Sequence, residues 1–397
     1  MKPKLLIYRD RLLYPSETFI REQAEAIRRF TPYYIGARPI AGLDTPPERT
    51  LFIGRSGPVA RFNEILFKGL HLAPFLMPRL RRLKPCLVHA HFGLDAVEAM
   101  PLATELGVPL VATYHGHDVN VADTITAEHR RGRRYLRQRH RLRNFCSLNV
   151  VVSRSVERDL RTRGFVDRNI FLHYIGVDVD KFRRDASQPR EDVVLFVGRL
   201  VEMKGCEFAI RAMAEVQQQH SGVRLVVIGD GVLRPELEQF ARKLNCNAEF
   251  LGVQPPPMVR SWMNRARIFC TPSVTARSGN VETFGIVFIE AQAMELPVVS
   301  TNSGGIPEAV EDGVTGLLAP ERDHRTLASH LHMLLSDDIL WQRFAQAGYE
   351  RVCRNFNLRT QTAILEFKYE QVIERWLATG QRVPSLDVLL PPLRDAI

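Results

Sequence analysis

No run of about 18 uninterrupted apolar residues occurs in this chain, so no segment is expected to cross a bilayer as a helix. The apolar stretch Leu5-Leu6-Ile7-Tyr8 near the N-terminus is too short for a secretory signal. The six cysteines (Cys86, Cys146, Cys206, Cys246, Cys270 and Cys353) are scattered, with no CxxC pair among them. A zinc site is therefore not expected, and thiols set in apolar strand-like runs fit the buried, reduced cysteines of a cytosolic protein. A complete GxGxxG dinucleotide fingerprint is also missing; Val226-Val-Ile-Gly-Asp-Gly231 carries only a fragment of one, and a tight turn after a strand accounts for it equally well.

What is present is globular: 45% hydrophobic and 25% charged residues in a chain of 397, too long for one ordinary core and long enough for two domains. Charge is uneven along it. Residues 1–189 hold 32 Lys and Arg against 19 Asp and Glu, a balance of +13, whereas residues 190–397 hold 22 against 25, a balance of −3. The first half therefore seeks an anionic partner such as phosphate, an acidic membrane surface or nucleic acid.

Short aliphatic runs alternate with longer amphipathic stretches. Strands are predicted at 5–8, 33–36, 87–90, 110–114, 148–153 and 170–174 in the first half. In the second they are predicted at 193–197, 224–229, 249–251, 268–271, 298–301 and 316–318. Continuous apolar strands between helices imply parallel sheets covered on both faces. Two such series imply an α/β protein of two facing doubly wound, Rossmann-like domains, whose ligands bind beyond the carboxyl ends of the strands. The polar, aperiodic stretch 183–191 marks the boundary. The last helix pattern spans 361–376, and Pro384, Pro391 and Pro392 mark a loosely held tail.

Glu282-Thr-Phe-Gly-Ile-Val-Phe-Ile-Glu290 sets two carboxylates eight positions apart around Phe284 and Gly285. Gly285 can open a helix through Ala293 that buries Phe288 and Ile289. Carboxylates accept hydrogen bonds from sugar hydroxyls, and helix N-terminal amides bind phosphate. Such a segment suits a phosphorylated sugar; two glutamates on a solvated helix are the plainer reading. Gly198-Arg199 and Lys204-Gly205 follow the 193–197 strand, as a forked and a point cation for a diphosphate or as an ordinary basic loop. Val253 follows another strand end, where backbone could meet a base. Thr113-Tyr-His115-Gly-His117-Asp118 also ends a strand. His115 there can donate to a sugar hydroxyl, Asp118 can satisfy loop amides, and no third ligand completes a metal site. Ser16 is read as the cap of a helix starting near Glu17. Ser303-Gly-Gly-Ile-Pro-Glu308 is read as a wall of the cleft, or as a turn whose Glu308 favours its own helix start. Asp178-Val-Asp180, which mimics a metal-binding DxD, sits at the domain junction and is read as structural.

Together the Gly198-Arg199, Lys204-Gly205, Gly229-Asp-Gly231, Glu282-x7-Glu290 and 303–308 motifs resemble the retaining GT4 glycosyltransferases of GT-B fold. Ser16-Glu-Thr-Phe19, Ala90-His-Phe-Gly93 and His115-Gly-x-Asp118 look like the branch that builds exopolysaccharides such as colanic acid. The resemblance implies an acceptor-binding domain at 1–185 and a donor-binding domain at 186–360. Residues 361–397 would be a helix packing back on the first domain, plus a tail. It implies catalytic roles for Glu282, His115, Arg199 and Lys204. Donor contacts would come from Arg199, Lys204, Gly231, Val253, Glu282, Phe284, Gly285, Ile286, Val287 and Glu290, with Arg199 and Lys204 on the diphosphate and Glu290 on the ribose. Ser16, Thr18, His91 and Asp118 would face the acceptor. Many relatives carry a double glycine after the first strand; Arg11-Leu-Leu-Tyr-Pro-Ser16 stands here instead. The implied reaction moves a hexosyl group from a UDP- or GDP-sugar to a glycan or lipid-diphosphate-linked acceptor, with no cofactor and no metal.

Arg130-Arg-Gly-Arg-Arg-Tyr-Leu-Arg-Gln-Arg-His-Arg-Leu-Arg143 contains eight arginines, with Arg130, Arg134, Arg137 and Arg141 on one helical face. With the mixed apolar and basic stretch 65–82 it suits a peripheral contact with anionic lipid at the inner membrane face; the other reading is a core segment and a solvated face. Two different functions are weighed against transfer: a GT-B sugar-nucleotide epimerase, and a non-enzymatic RNA binder using the 130–143 run. Tyr135 is the one Phe, Tyr or Trp in that run, short of the set of aromatics that base stacking needs, so no nucleic acid is expected.

Overall fold

The computed structural model describes residues 2–54, 57–70 and 72–379. Pro384, Pro391 and Pro392 lie outside the described residues. Two all-parallel sheets dominate. The first has seven strands in the spatial order Thr50–Phe52, Thr31–Gly36, Lys4–Tyr8, Pro85–His91, Leu110–Tyr114, Leu148–Val151 and Ile170–Leu172. The second has six: Ala248–Gly252, Arg224–Ile228, Val193–Val197, Ile268–Cys270, Val298–Thr301 and Gly316–Ala319. Every predicted strand forms, within a few residues of its expected ends. The short strands Thr50–Phe52, Arg11–Leu12 and Arg38–Pro39 were not foreseen; runs of two or three residues carry no periodicity to read.

Burial explains why these runs are continuously apolar. Val193, Val194, Leu195 and Phe196 are all fully buried, and alternate residues feed different cores. Val194 and Phe196 pack with the helices Cys206–Val216 and His324–Ser336. Val193 and Leu195 join the larger core that also holds the first lobe. In each sheet the strand order reverses beside the first strand of that lobe, next to Lys4–Tyr8 and next to Val193–Val197. Ligands of open parallel sheets bind beyond strand ends at such reversals.

The lobes are tied in two ways. Phe284 from the second lobe is 1% exposed and stacks on Tyr174 at 5.5 Å, and Phe356 closes edge-on against both rings. The chain then returns: Val177 exchanges backbone hydrogen bonds with Phe356 and Leu358 at 2.8 and 2.9 Å. The helix Leu358–Ala378 lies on the first lobe, where Glu366 accepts from the amides of Arg28 and Arg29 at the end of the helix Thr18–Ala26. Asp178 turns back on the amides of Asp180 and Lys181, a structural role.

Candidate active site between the lobes

The strand Val193–Val197 ends in Gly198-Arg199, and the chain turns through Glu202–Lys204 before the helix Cys206–Val216. The Lys204 stem lies along Gly198, and its ammonium pairs with the Glu282 carboxylate. Both side chains are largely buried, 14% and 9% exposed, so the contact is screened far less than a surface pair. Arg199, directly after Gly198, is exposed, and its side chain makes no hydrogen bond or ion pair among the described residues. Beyond Glu282 the helix Ile286–Ala293 begins as foreseen, with Phe288 and Ile289 fully buried. Gly285 stands at φ +78°, and a Cβ there would come 2.5 Å from the Phe288 ring. No side chain caps this helix, and Ile286 and Val287 in its first turn are half-buried.

Glu290 does not share the Lys204–Glu282 contact. It is half-buried, and no side-chain hydrogen bond or ion pair engages it among the described residues. Burial pushes its pKa up to about 7, with the Glu22 carboxylate adding and Lys181 opposing. The amide of Gly231 bonds Asp230 Oδ1 at 2.7 Å, and Val253 is 75% exposed at the end of the strand Ala248–Gly252. Phe284 contributes only backbone to this side, because its ring belongs to the aromatic tie described above.

Across the interface stands His115, at the end of the strand Leu110–Tyr114. Its ring is packed by Phe19 and Phe92 at 4.9 and 4.7 Å. Its Nε2 shares a 3.0 Å hydrogen bond with His91 Nδ1, while its own Nδ1 is buried without a partner in the described structure. Burial, with His89 and Arg9 nearby, lowers its pKa to about 3, so the ring is neutral. Behind it His89 bonds Thr113 Oγ1 and the Tyr369 hydroxyl, each at 2.7 Å.

Four expectations change. Ser16 is exposed and caps nothing; the helix Thr18–Ala26 starts after Glu17, whose carboxylate instead accepts from Arg9 and from the Tyr14 amide. His91, expected on the acceptor side, is 2% exposed and turns its Nδ1 to His115 within its own lobe. Asp118 is also buried; its carboxylate accepts from the amides of Gly93 at 2.5 Å and Gly116 at 3.1 Å, the loop-satisfying role, and burial raises its pKa to about 6. Glu308 stands in the first turn of its own short helix Ile306–Ala309, but its carboxylate is taken up by the other lobe. It accepts from the amides of Arg154 and Ser155, at the start of the helix Arg154–Thr162 in the other lobe, and from the Tyr174 hydroxyl. Thr18 stands half-buried in the first turn of its helix.

Arg9 was missed. It directly follows the first strand, pairs with Glu17 and Asp95, and lies 4.4 Å over the Phe92 ring beside His115. Its signal was available: a cation at the carboxyl end of the strand where the sheet order reverses. Arg131, from the arginine run, turns inward to Asp10, Asp95 and Glu98.

Residues 17–181 match the family described as Glycosyltransferase Family 4, and residues 178–351 match Glycosyl transferases group 1. WcaL of Escherichia coli (strain K12), named for a glycosyltransferase role in colanic acid biosynthesis, is 32% identical over 73% of this chain and 68% of that protein. The chain belongs to glycosyltransferase family 4. The amylovoran biosynthesis glycosyltransferase AmsK of Erwinia amylovora is 31% identical to this glycosyltransferase over 66% of the chain and 68% of that protein. Matches to these exopolysaccharide relatives span 66–68% of their own length. Among solved structures, Anabaena HepE in complex with UDP superimposes with a TM-score of 0.74 at 20% identity, covering 94% of this chain and all of that one. Sucrose-phosphate synthase of Thermosynechococcus elongatus gives 0.75 at 21%, also covering 94% of this chain. The fold is therefore GT-B. Neither the epimerase nor the RNA-binding reading is favoured by these relatives.

Proposed function

We propose that this protein is a retaining hexosyltransferase that moves a hexosyl group from a UDP- or GDP-sugar to a lipid-diphosphate-linked glycan in exopolysaccharide or cell-surface polysaccharide synthesis. The observation that carries the reading is the Lys204–Glu282 pair beside the uncapped helix Ile286–Ala293, with neutral His115 joined through its carbonyl, from the other lobe, to the next residue, Thr283. The relatives named for colanic acid and amylovoran, and the UDP and UDP-glucose complexes of HepE, support it.

In this reading the donor diphosphate lies against Arg199, Lys204 and the amides of Gly285, Ile286 and Val287. Cleaving the anomeric C–O bond leaves negative charge on the diphosphate, and donors already in place stabilise that growing charge. Glu282 accepts from a hydroxyl of the donor sugar, Glu290 from the ribose, and His115 offers a neutral hydrogen bond from the other lobe. The acceptor hydroxyl attacks the face from which the diphosphate departs. Its oxygen bonds the anomeric carbon, its proton passes to the leaving phosphate oxygen, and the anomeric configuration is kept. Arg199 and Lys204 supply the positive charge, so no metal takes part. The test is a thermal-shift screen against UDP- and GDP-sugars followed by product analysis with and without chelator. Stabilisation by one nucleotide series and chelator-resistant transfer with retention are expected; no stabilisation by any of them, or reversible loss in chelator, would overturn it.

The same reading places the enzyme against the cytoplasmic leaflet of the membrane. The helix Gly57–Leu70 and the loop after it expose Val59, Phe62, Ile65, Leu70, Leu72 and Phe75. Lys68, Arg130, Arg133, Arg134 and Arg137 line the adjoining groove. Apolar side chains beside clustered cations suit an anionic lipid surface.

A further inference from the structure

Thr283 follows Glu282 directly, and its hydroxyl donates a 2.8 Å hydrogen bond to the backbone carbonyl of His115 in the opposite lobe. We propose that Thr283 is a positioning residue for transfer: this bond fixes the His115 ring opposite the Lys204–Glu282 pair. The inference rests on the donor-site reading above and adds to it a residue outside the donor contacts.

The contact is built from both sides. On the first lobe Gly116 stands at φ +112°, and a Cβ there would fall 1.8 Å from the Thr283 methyl. Only glycine lets the backbone after His115 come this close in this conformation. On the second lobe the Gly305 amide donates to the Glu282 carbonyl at 2.9 Å, so the Glu282-Thr283 backbone is held from behind. Thr283 is thus pressed between a fixed turn of its own lobe and the loop that carries His115. The His115 ring is steadied by His91, Phe19 and Phe92, all from its own lobe. The Thr283 bond is what registers that assembly against the carboxylate next door in sequence. The Glu308 bonds to Arg154, Ser155 and Tyr174 also join the lobes, but none of them reaches the His115 loop.

The role separates from donor binding, because Arg199, Lys204, Glu290 and the helix amides belong to one lobe. Thr283→Val keeps the shape of the side chain and removes the donor; Thr283→Ser keeps the donor. Release of nucleoside diphosphate from UDP- and GDP-hexoses should fall about 3- to 10-fold in kcat for Thr283→Val, the effect of one lost neutral hydrogen bond. Affinity for UDP or GDP by calorimetry should stay within twofold of wild type, and Thr283→Ser should recover most of the rate. Gly116→Ala, which pushes from the other lobe, should reproduce the loss. Hydrogen exchange at residues 113–120 gives a readout independent of turnover, and it should quicken in Thr283→Val and Gly116→Ala. A kcat within twofold of wild type in Thr283→Val overturns the proposal, as does an equal loss of nucleotide affinity or unchanged exchange at 113–120. If wild-type protein releases nucleoside diphosphate from no sugar nucleotide, the functional reading fails instead, and the exchange measurement still decides whether Thr283 holds the loop.

Discussion

Lys204 and Arg199 carry the positive charge of the candidate site in different states. Lys204 is committed to Glu282, whereas the Arg199 side chain is exposed and has no partner among the described residues. Losing one charged hydrogen bond costs roughly 1.5–3 kcal/mol, which is about tenfold or more in rate. Arg199→Ala and Lys204→Ala should each slow transfer at least tenfold with circular dichroism unchanged; turnover within twofold of wild type would remove that residue from the site. Glu290 makes a pH prediction. Its folded pKa of about 7 lies above the unfolded value of about 4.3, so the folded protein holds that proton more tightly. The cost of its burial is absent at low pH, grows as pH rises through that window and is complete above about 7. Glu290→Gln removes it, so the variant should gain stability relative to wild type from about pH 4.5 to about pH 7 and run parallel beyond. A constant difference in melting temperature across that range would contradict the assignment. Motif chemistry made Glu282, Lys204, Arg199 and His115 legible as candidates. It could not show that His91 and Asp118 turn inward, because a polar residue at a strand end reads the same whether it faces a ligand or a neighbouring loop.

At the scale of elements, the helix that carries Glu290 depends on a residue from the boundary segment. Arg190 donates to five carbonyls: Met263, Asn264, Ala266, Met294 and Glu295. Those oxygens end the helices Pro256–Arg265 and Ile286–Ala293, where carbonyls lack partners of their own. Burial lowers the Arg190 pKa to about 9, which still leaves it charged near neutrality. Arg190→Met keeps the volume and strands the carbonyls. It should cost about 1.5–3 kcal/mol, seen as a lower melting temperature at roughly 2–4 °C per kcal/mol; an unchanged melt would mean that water replaces the guanidinium freely. The strands and the helix Ile286–Ala293 were readable because burial on both faces demands unbroken apolar runs and Gly285 marks the start. The boundary stretch 183–191 was readable only as polar and aperiodic. A cation that ties two distant helix ends leaves no local pattern.

For the whole molecule, the imbalance of +13 in residues 1–189 takes a definite place. Part of it turns inward, with Arg9, Lys68 and Arg131 answering the buried Asp10, Asp95 and Glu98. Part stays outside, on the groove of Arg130, Arg133 and Arg137 beside exposed Phe62, Ile65 and Phe75. The stretch 65–82 accordingly divides: Phe67, Leu76, Met77 and Leu80 are core, while Ile65, Leu70, Leu72 and Phe75 are not. In flotation with vesicles the protein should partition to those containing anionic lipid and be released by salt. Arg130→Glu with Arg137→Glu should weaken that partition, and Phe62→Asp should weaken what salt leaves. Binding indifferent to lipid charge would end the electrostatic version. No helix among the described residues is long and apolar enough to cross a membrane.

Sequence alone determined the two parallel sheets, the family and the residue types at the strand ends, because hydrophobic period and motif order are local properties of the chain. Tertiary structure decided which of those residues meet. Lys204 reaches Glu282 across 78 positions, Thr283 reaches His115 across 168, and Glu308 caps a helix 154 positions earlier. The first pairing is made inside the second lobe by loops that its sheet brings together; the other two depend on how the lobes are set against each other, which is fixed by the packing of Phe284, Tyr174 and Phe356 and by the returning helix, not by any spacing along the chain.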